Sequence, residues 1–171
     1  TIGLLCTWAV DTRAFIPLVS GQIDIGKVTG MDVPPPPAAL MEIHTTDGTF
    51  SIPIEEIRKT VPGGCAICPD MTAELADISV GAMEGDTTWN TLIVRTATGA
   101  ALVQQAVSLG YLELLEMPAE NLANLKHGAA GKKKRAVIKA RDGGLLNTAP
   151  ASGRAALRMD ERVVETILAQ N

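Results

Sequence analysis

Cys65 and Cys68 stand two residues apart in the run "GGCAICPDMTAELADISVG", and the chain has only one other cysteine, Cys6. Two intervening residues let a turn aim both sulfurs at one point, so the spacing suits zinc, an iron–sulfur cluster or a redox dithiol. An odd number of thiols, two of them close together, fits metal or redox chemistry in a reducing compartment better than a disulfide framework. Each reading asks for something different. A dithiol should open a helix whose N-terminus lowers a thiol pKa, yet Pro62-Gly63-Gly64 precedes the pair and Pro69 follows it, which suggests a glycine-lined turn. Zinc needs four ligands, and His44 or His127 with the three cysteines would make a Cys₃His set, although neither histidine has a supporting local spacing. His44 alternates with apolar residues as an ordinary half-exposed strand residue would, and His127 reads as a helix-end residue. A cubane cluster wants four thiolates, of which Cys6, Cys65 and Cys68 supply three. Simple core filling suits Cys6 taken alone.

The elements that would position these residues follow from the rest of the sequence. At 171 residues the chain can bury a core without staples. It is rich in Ala, Val, Leu and Ile and poor in aromatics, as a packed α/β protein is. A net charge of −4 argues against nucleic-acid binding, with one basic run, "GKKKRAVIKAR", standing apart. No apolar run reaches the roughly 20 residues of a membrane span, and no secretory leader opens the chain. A cytoplasmic protein is expected. The apolar run at the very start implies a chain that begins inside a fold, as a piece lacking upstream sequence.

"IGLLCTW" (2–8) reads as a buried strand ending near Cys6. Asp11 caps a short helix over "TRAFIPLV", which Pro17 should kink or end. Pro34 to Pro37 form an extended spacer. "ALMEIHTT" and "TFSIPI" alternate about Asp47-Gly48 and predict a β-hairpin. "PIEEIRKTV" is a short helix with its acidic residues at the positive end. "ADISVG" and "WNTLIVRT" are two strands that can pair, and "TGAALVQQAVSLG" is a helix ended by Gly110. "YLELLEM" reads as a further strand, giving a β-α-β order over 88–116 and a parallel pair. Pro118 starts a helix through "AENLANLK", "ARDGGLLNTAPASGRAA" is a loose connection, and "MDERVVETILAQ" is an amphipathic helix with Val163, Val164, Ile167 and Leu168 on one face.

Taken in order, "TIGLLCTWAVDTRAF", "MDVPPPP", "CAICPDMTAELADISVGAMEGDTTWNTLIVRTATG" and "KKKR" resemble the C-terminal domain of the coenzyme F420 hydrogenase/dehydrogenase beta-subunit family over residues 1–140. The family's usual aromatic after "IGL" is Leu5 here, and residues 141–171, a connection and a C-terminal helix, fall outside the likeness. The resemblance implies the C-terminal part of a larger flavoprotein subunit: α/β, a mixed sheet with a β-hairpin, flanking helices and an iron–sulfur loop. It implies an oxidoreductase subunit that binds FAD and a 4Fe-4S cluster. Such a subunit passes electrons between coenzyme F420, as substrate, or another donor and a partner. The partner would be the catalytic subunit of a hydrogenase or formate dehydrogenase, or a heterodisulfide-reductase-type complex. Cys6, Cys65 and Cys68 are then cluster ligands, the remaining ligand lying upstream.

Beside the likeness, "DISVGAMEGDTTWN" has what a flavin pocket uses. Gly81 permits close backbone approach, Ser79, Thr88 and Asn90 offer hydrogen bonds, and Trp89 is a flat neighbour. Trp89 reads equally well as a core or interface residue. Arg95 and the run Lys132, Lys133, Lys134, Arg135 could neutralise a pyrophosphate, or be a solvated helix face. Asp70 and Asp77 suit backbone capping, and Glu84 is a candidate acid near the flavin. A zinc-stabilised interaction or scaffold module of a redox assembly is the competing reading.

Overall fold

The first strand, β1 (Ile2–Leu4), is separated from its neighbour in the sheet by a whole folding unit. The computed structural model describes residues 1–34, 37–83, 86–149 and 155–169, with the side chain of residue 87 left out. The chain forms two compact units, Trp8–Cys65 and Thr1–Thr7 with Ala66–Asn171.

In the Trp8–Cys65 unit, Asp11 accepts from the backbone N–H of Arg13 and caps α1 (Thr12–Ser20). Pro17 lies inside this helix and does not end it. Three antiparallel strands follow, β2 (Val28–Asp32), β3 (Leu40–Thr45) and β4 (Gly48–Pro53), in the order β2-β3-β4. The hairpin is present, but Thr45 pairs with Gly48, so the loop is Thr46-Asp47 and Gly48 follows it at φ +141°, where only a residue without Cβ is at ease. β2 is masked in the sequence by the proline run after it, of which Pro35 and Pro36 lie outside the described residues. α2 (Ile54–Arg58) carries Glu55 and Glu56 in its first turn. Alternation along β3 sends Met41 and Ile43 inward. There they meet Ile52, Ile54 and Ile57, with Phe15 and Val19 of α1, in one apolar cluster that Trp8 and Val10 flank. Burying each such side chain is worth about 1.5–3 kcal/mol.

Asp11 gives this unit a pH dependence. The Arg13 guanidinium, and then the Arg13 backbone N–H, hold its carboxyl below the usual carboxylate range. A depressed folded-state value means that the cap's contribution is complete above the unfolded value of about 3.9 and is lost as pH falls through the folded one. Asn keeps the acceptor without titrating. Melting curves of wild type and Asp11→Asn are therefore expected to converge below about pH 4, with wild type the more stable above it.

The second unit is built on a mixed sheet, β1 parallel to β5 (Ile78–Met83), and β5 antiparallel to β6 (Asp86–Val94). The expected buried strand over 2–8 shrinks to three residues, with Ile2 65% and Leu4 74% exposed, because β1 is an edge strand with one neighbour. After the one-turn helix α3 (Gly63–Ala66) at the junction of the units, α4 (Ala97–Ser108) is capped by Thr96. The expected strand "YLELLEM" does not form: residues 111–117 pair with nothing in the sheet, and Tyr111 is 79% and Leu115 65% exposed. Alternation alone makes no strand where no partner edge is offered. The parallel pair is β1 with β5.

α5 (Ala119–Asp142) runs unbroken through the lysine run for 24 residues, further than "AENLANLK", and Gly143 caps it. The loose connection expected over 140–156 contains one short strand, β7 (Leu146–Asn147), which pairs in parallel with β8 (Leu157–Arg158) directly after it. α6 (Glu161–Ala169) packs Val164 and Ile167 on Val137 of α5, while Val163 stays half exposed. Among the described residues no helix is long and apolar enough to cross a membrane.

Candidate functional site

Cys6 stands two residues past the end of β1. Leu5 continues the pairing of that strand by donating to the carbonyl of Val80 (2.9 Å), and the Cys6 N–H donates to the carbonyl of Met71 (2.8 Å). The segment with Cys6 is thus stitched to the segment that follows Cys68. That second segment is folded on Asp70, whose carboxylate accepts from the backbone N–H groups of Thr72 (3.0 Å) and Glu74 (3.1 Å), the local turn that a short acidic side chain favours. Ala73 sits at φ +53°, a conformation a non-glycine residue holds only where its surroundings demand it. Gly3 on β1 faces it so closely that a Cβ there would lie 2.3 Å from that of Ala73. The close approach of strand and loop therefore requires glycine at position 3.

Two basic side chains brace the loop from behind. Arg95, just after β6, donates to the Ser79 hydroxyl (2.6 Å), the Thr72 carbonyl (2.9 Å) and the Thr72 hydroxyl (3.0 Å). Ser79 is fully buried and donates to the carbonyl of Ala73 (3.3 Å). Lys132 of α5 is only 3% exposed, and its ammonium donates to the carbonyls of Cys6 (2.7 Å) and Asp70 (2.8 Å). The Cys68 thiol donates to the same Asp70 carbonyl (3.6 Å). One carbonyl thus gathers Lys132 and Cys68, and Lys132 ties it to Cys6. Lys133 pairs with Glu74 on the same loop.

Cys6 is exposed, Cys65 and Cys68 are half-buried, and all three are free thiols. Cys65 lies on α3, at the end of the Trp8–Cys65 unit, its N–H donating to the carbonyl of Pro62 (2.9 Å). Among the described residues no group of three or more His, Cys, Asp or Glu is poised around a metal position. What the structure does bring together is Cys6, Cys68, Lys132, Arg95 and Ser79. In donor type these fit a thiolate-ligated cluster: two free thiols on a braced loop pair, with a buried cation next to the cysteine-bearing backbone.

The other residues with flavin expectations lie along the sheet. The space over Gly81 is taken by Leu5, whose Cβ would lie 2.5 Å from a Cβ at position 81. Trp89 is half-buried and Asn90 exposed on β6, and Thr88 donates to Asp86 (2.6 Å). Glu84 lies outside the described residues. Asp70 and Asp77 orient backbone and hydroxyl groups, Asp77 accepting from the Thr96 hydroxyl (2.6 Å). His44 bonds Thr49 across the hairpin (3.0 Å) and stays half-exposed.

In the sequence Lys132 is one basic residue of four, with nothing to set it above its neighbours except its phase. Lys132, Ala136, Val137 and Ala140 fall on one helical stripe and are the buried residues of α5.

The family model for the C terminus of the "Coenzyme F420 hydrogenase/dehydrogenase, beta subunit" matches residues 1–120. The coenzyme F420 hydrogenase subunit beta of Methanothermobacter thermautotrophicus is 35% identical over 96 residues, which cover 55% of this chain and 34% of that protein. The coenzyme F420-dependent sulfite reductase of Methanocaldococcus jannaschii is 31% identical over 121 residues, 67% of this chain and 18% of that protein. A chain in the structure of the F420-reducing [NiFe] hydrogenase complex from Methanosarcina barkeri superposes with a TM-score of 0.73 at 24% identity, over 83% of this chain and 50% of that one. That likeness establishes a shared fold. The chain spans about a third of the length of the first of these curated relatives.

Proposed function

Since this chain belongs to the family of the coenzyme F420 hydrogenase/dehydrogenase beta subunit, C-terminal part, we propose that it serves an oxidoreductase as its electron-transfer subunit. In this reading it works between coenzyme F420, or another hydride donor, and a partner redox complex, with FAD and a 4Fe-4S cluster as its cofactors. When bound, that cofactor pair turns two-electron hydride transfer into single-electron flow. The observation that carries the reading is the tie between the Cys6 and Cys68 segments through the Met71 carbonyl and the Lys132 ammonium. Cys6 and Cys68, far apart in sequence, lie inside the region matched by the family, and the buried cation that joins the Cys6 and Asp70 carbonyls comes from α5, beyond that region.

Each residue then has a task. Cys6, Cys65 and Cys68 supply thiolates, with a further ligand outside these residues. Asp70 shapes the loop after Cys68 through the N–H groups of Thr72 and Glu74. Arg95 donates to Ser79 and to the Thr72 carbonyl, and Ser79 to the Ala73 carbonyl, so their first role is to stiffen this loop, and a flavin contact would have to use what remains of the guanidinium. Trp89 and Asn90 on β6 are the proposed flavin neighbours, with Gly81 beneath Leu5 as part of the wall and Lys133, which pairs with Glu74, as the proposed cation. The partner is the catalytic subunit of a hydrogenase, a formate dehydrogenase or a heterodisulfide-reductase-type complex, in the cytoplasm, where thiols stay reduced.

The test is anaerobic reconstitution of the full-length subunit with iron and sulfide. On the order of four irons per chain, the broad visible absorption of a cubane and an acid-releasable flavin are expected. Stoichiometric zinc with neither iron nor flavin overturns the reading.

A further inference from the structure

We infer that Lys132 is a positioning residue of the thiol pair: its ammonium clamps the main chains of the Cys6 and Cys68 segments and lends its charge to the anionic centre those thiols ligate. The inference rests on the cluster reading above and goes beyond it, because it assigns the electrostatics of the site to a residue on a distant helix.

The argument is one of burial and charge. An ammonium that is 3% exposed has given up nearly all its water, and desolvating a charge is costly unless other groups compensate it. Its partners among the described residues are two neutral carbonyls, at 2.7 and 2.8 Å. Lys133, the next residue, has a carboxylate partner in Glu74. The stripe that holds Lys132 is otherwise Ala136, Val137 and Ala140, so an apolar side chain would suit the packing at position 132. A full positive charge kept in that stripe, and aimed at the backbone of a cysteine, is compensated once thiolates and the inorganic core they hold supply negative charge nearby. The clamp and the charge share one atom. Nζ joins the Cys6 carbonyl to the carbonyl that Cys68 Sγ also contacts, so any motion that separates the main chains at Cys6 and Asp70 breaks a charged hydrogen bond.

The consequence for a redox centre has a definite sign. A nearby positive charge favours the reduced, more negative form and so raises the potential; its removal lowers it. The experiment compares wild type, Lys132→Met and Lys132→Arg in the full-length subunit. Midpoint potentials come from a redox titration followed by electron paramagnetic resonance, and amide exchange is measured on the metal-free proteins. Lys132→Met is expected to lower the equilibrium constant for reduction at least tenfold, about 59 mV for a one-electron couple, and Lys132→Arg to restore most of it. In the metal-free protein, the Cys6 amide is expected to exchange at least tenfold faster in Lys132→Met than in wild type.

An unchanged midpoint in a Lys132→Met protein with full iron content overturns the electrostatic role, and unchanged protection of the Cys6 amide overturns the clamp. If Lys132→Met does not fold, Lys132→Gln, which keeps donor groups without the charge, judges the electrostatic role by its midpoint, and Lys132→Ala judges the clamp by the Cys6 amide. A wild-type subunit that takes up no iron rejects the proposal of the preceding section together with the electrostatic role, while the exchange data still judge the clamp alone.

Discussion

Lys, Asp and Arg shape the loop, but Cys68→Ser in the full-length subunit is expected to produce the largest change of any single substitution: iron and sulfide fall to background and the visible absorption is lost. Serine keeps the size of the side chain and an O–H that can donate to the Asp70 carbonyl as the thiol does, so the loop loses no hydrogen bond. What disappears is the proposed ligand, because a hydroxyl does not ionise near neutral pH and is a hard donor where a cluster requires a soft thiolate. Melting of the metal-free protein is expected to move by no more than about 0.5 kcal/mol, which separates loss of ligation from loss of fold. Iron analysis and the visible spectrum of Cys6→Ser, Cys65→Ser and Cys68→Ser, side by side, check the proposed ligand set. Retention of full iron by any one of them removes that cysteine from the set.

The second large effect belongs to the Trp8–Cys65 unit. Ile57 is completely buried at the centre of the cluster formed by Phe15, Val19, Met41, Ile43 and Ile52. Ile57→Ala removes its contacts and leaves a cavity among neighbours fixed by a helix and a sheet, at a cost of about 2–5 kcal/mol, a large part of the roughly 5–15 kcal/mol typical of a whole domain. Trp8 flanks the same cluster, whereas Trp89, the other tryptophan, belongs to the other unit. Urea titration of Ile57→Ala in a Trp89→Phe background therefore reads this unit alone through Trp8 fluorescence. A midpoint within error of the parent would show that the cluster does not hold the unit together.

What the sequence makes legible is what local chemistry decides. The Asp11 cap, the alternation of β3, the acidic first turn of α2 and the apolar spacing of α4 each act within a few residues, and each element forms where its pattern lies. Pairing between distant segments is another matter. Nothing in "IGL" names Ile78 as the partner of Ile2, and the alternation of "YLELLEM" is a strand pattern to which the fold gives no neighbour. The site divides in the same way. The Cys65 and Cys68 pair announces itself by spacing, but Cys6 joins it only through a family likeness, since an isolated cysteine after an apolar run fits core filling equally well. Lys132 requires two facts that no local pattern supplies together: that α5 continues through the lysines, and that the buried phase of that helix passes through position 132. Ser79 and Arg95 have the chemistry of cofactor contacts, and the structure adds that each is engaged by the other, which the linear order of β5 and β6 does not reveal.

The bond between Lys132 and the Cys6 carbonyl spans 126 residues, and this has a consequence for biosynthesis. At about 5–20 residues per second, a ribosome that has released position 6 makes position 132 roughly 6–25 s later. All residues of the 8–65 core are made long before then, whereas the Cys6 main chain waits, unclamped, for a helix not yet translated. The clamp at Cys6 is on this account a late event, and the Cys6 amide of a nascent chain stalled before α5 should exchange far faster than that of the released subunit.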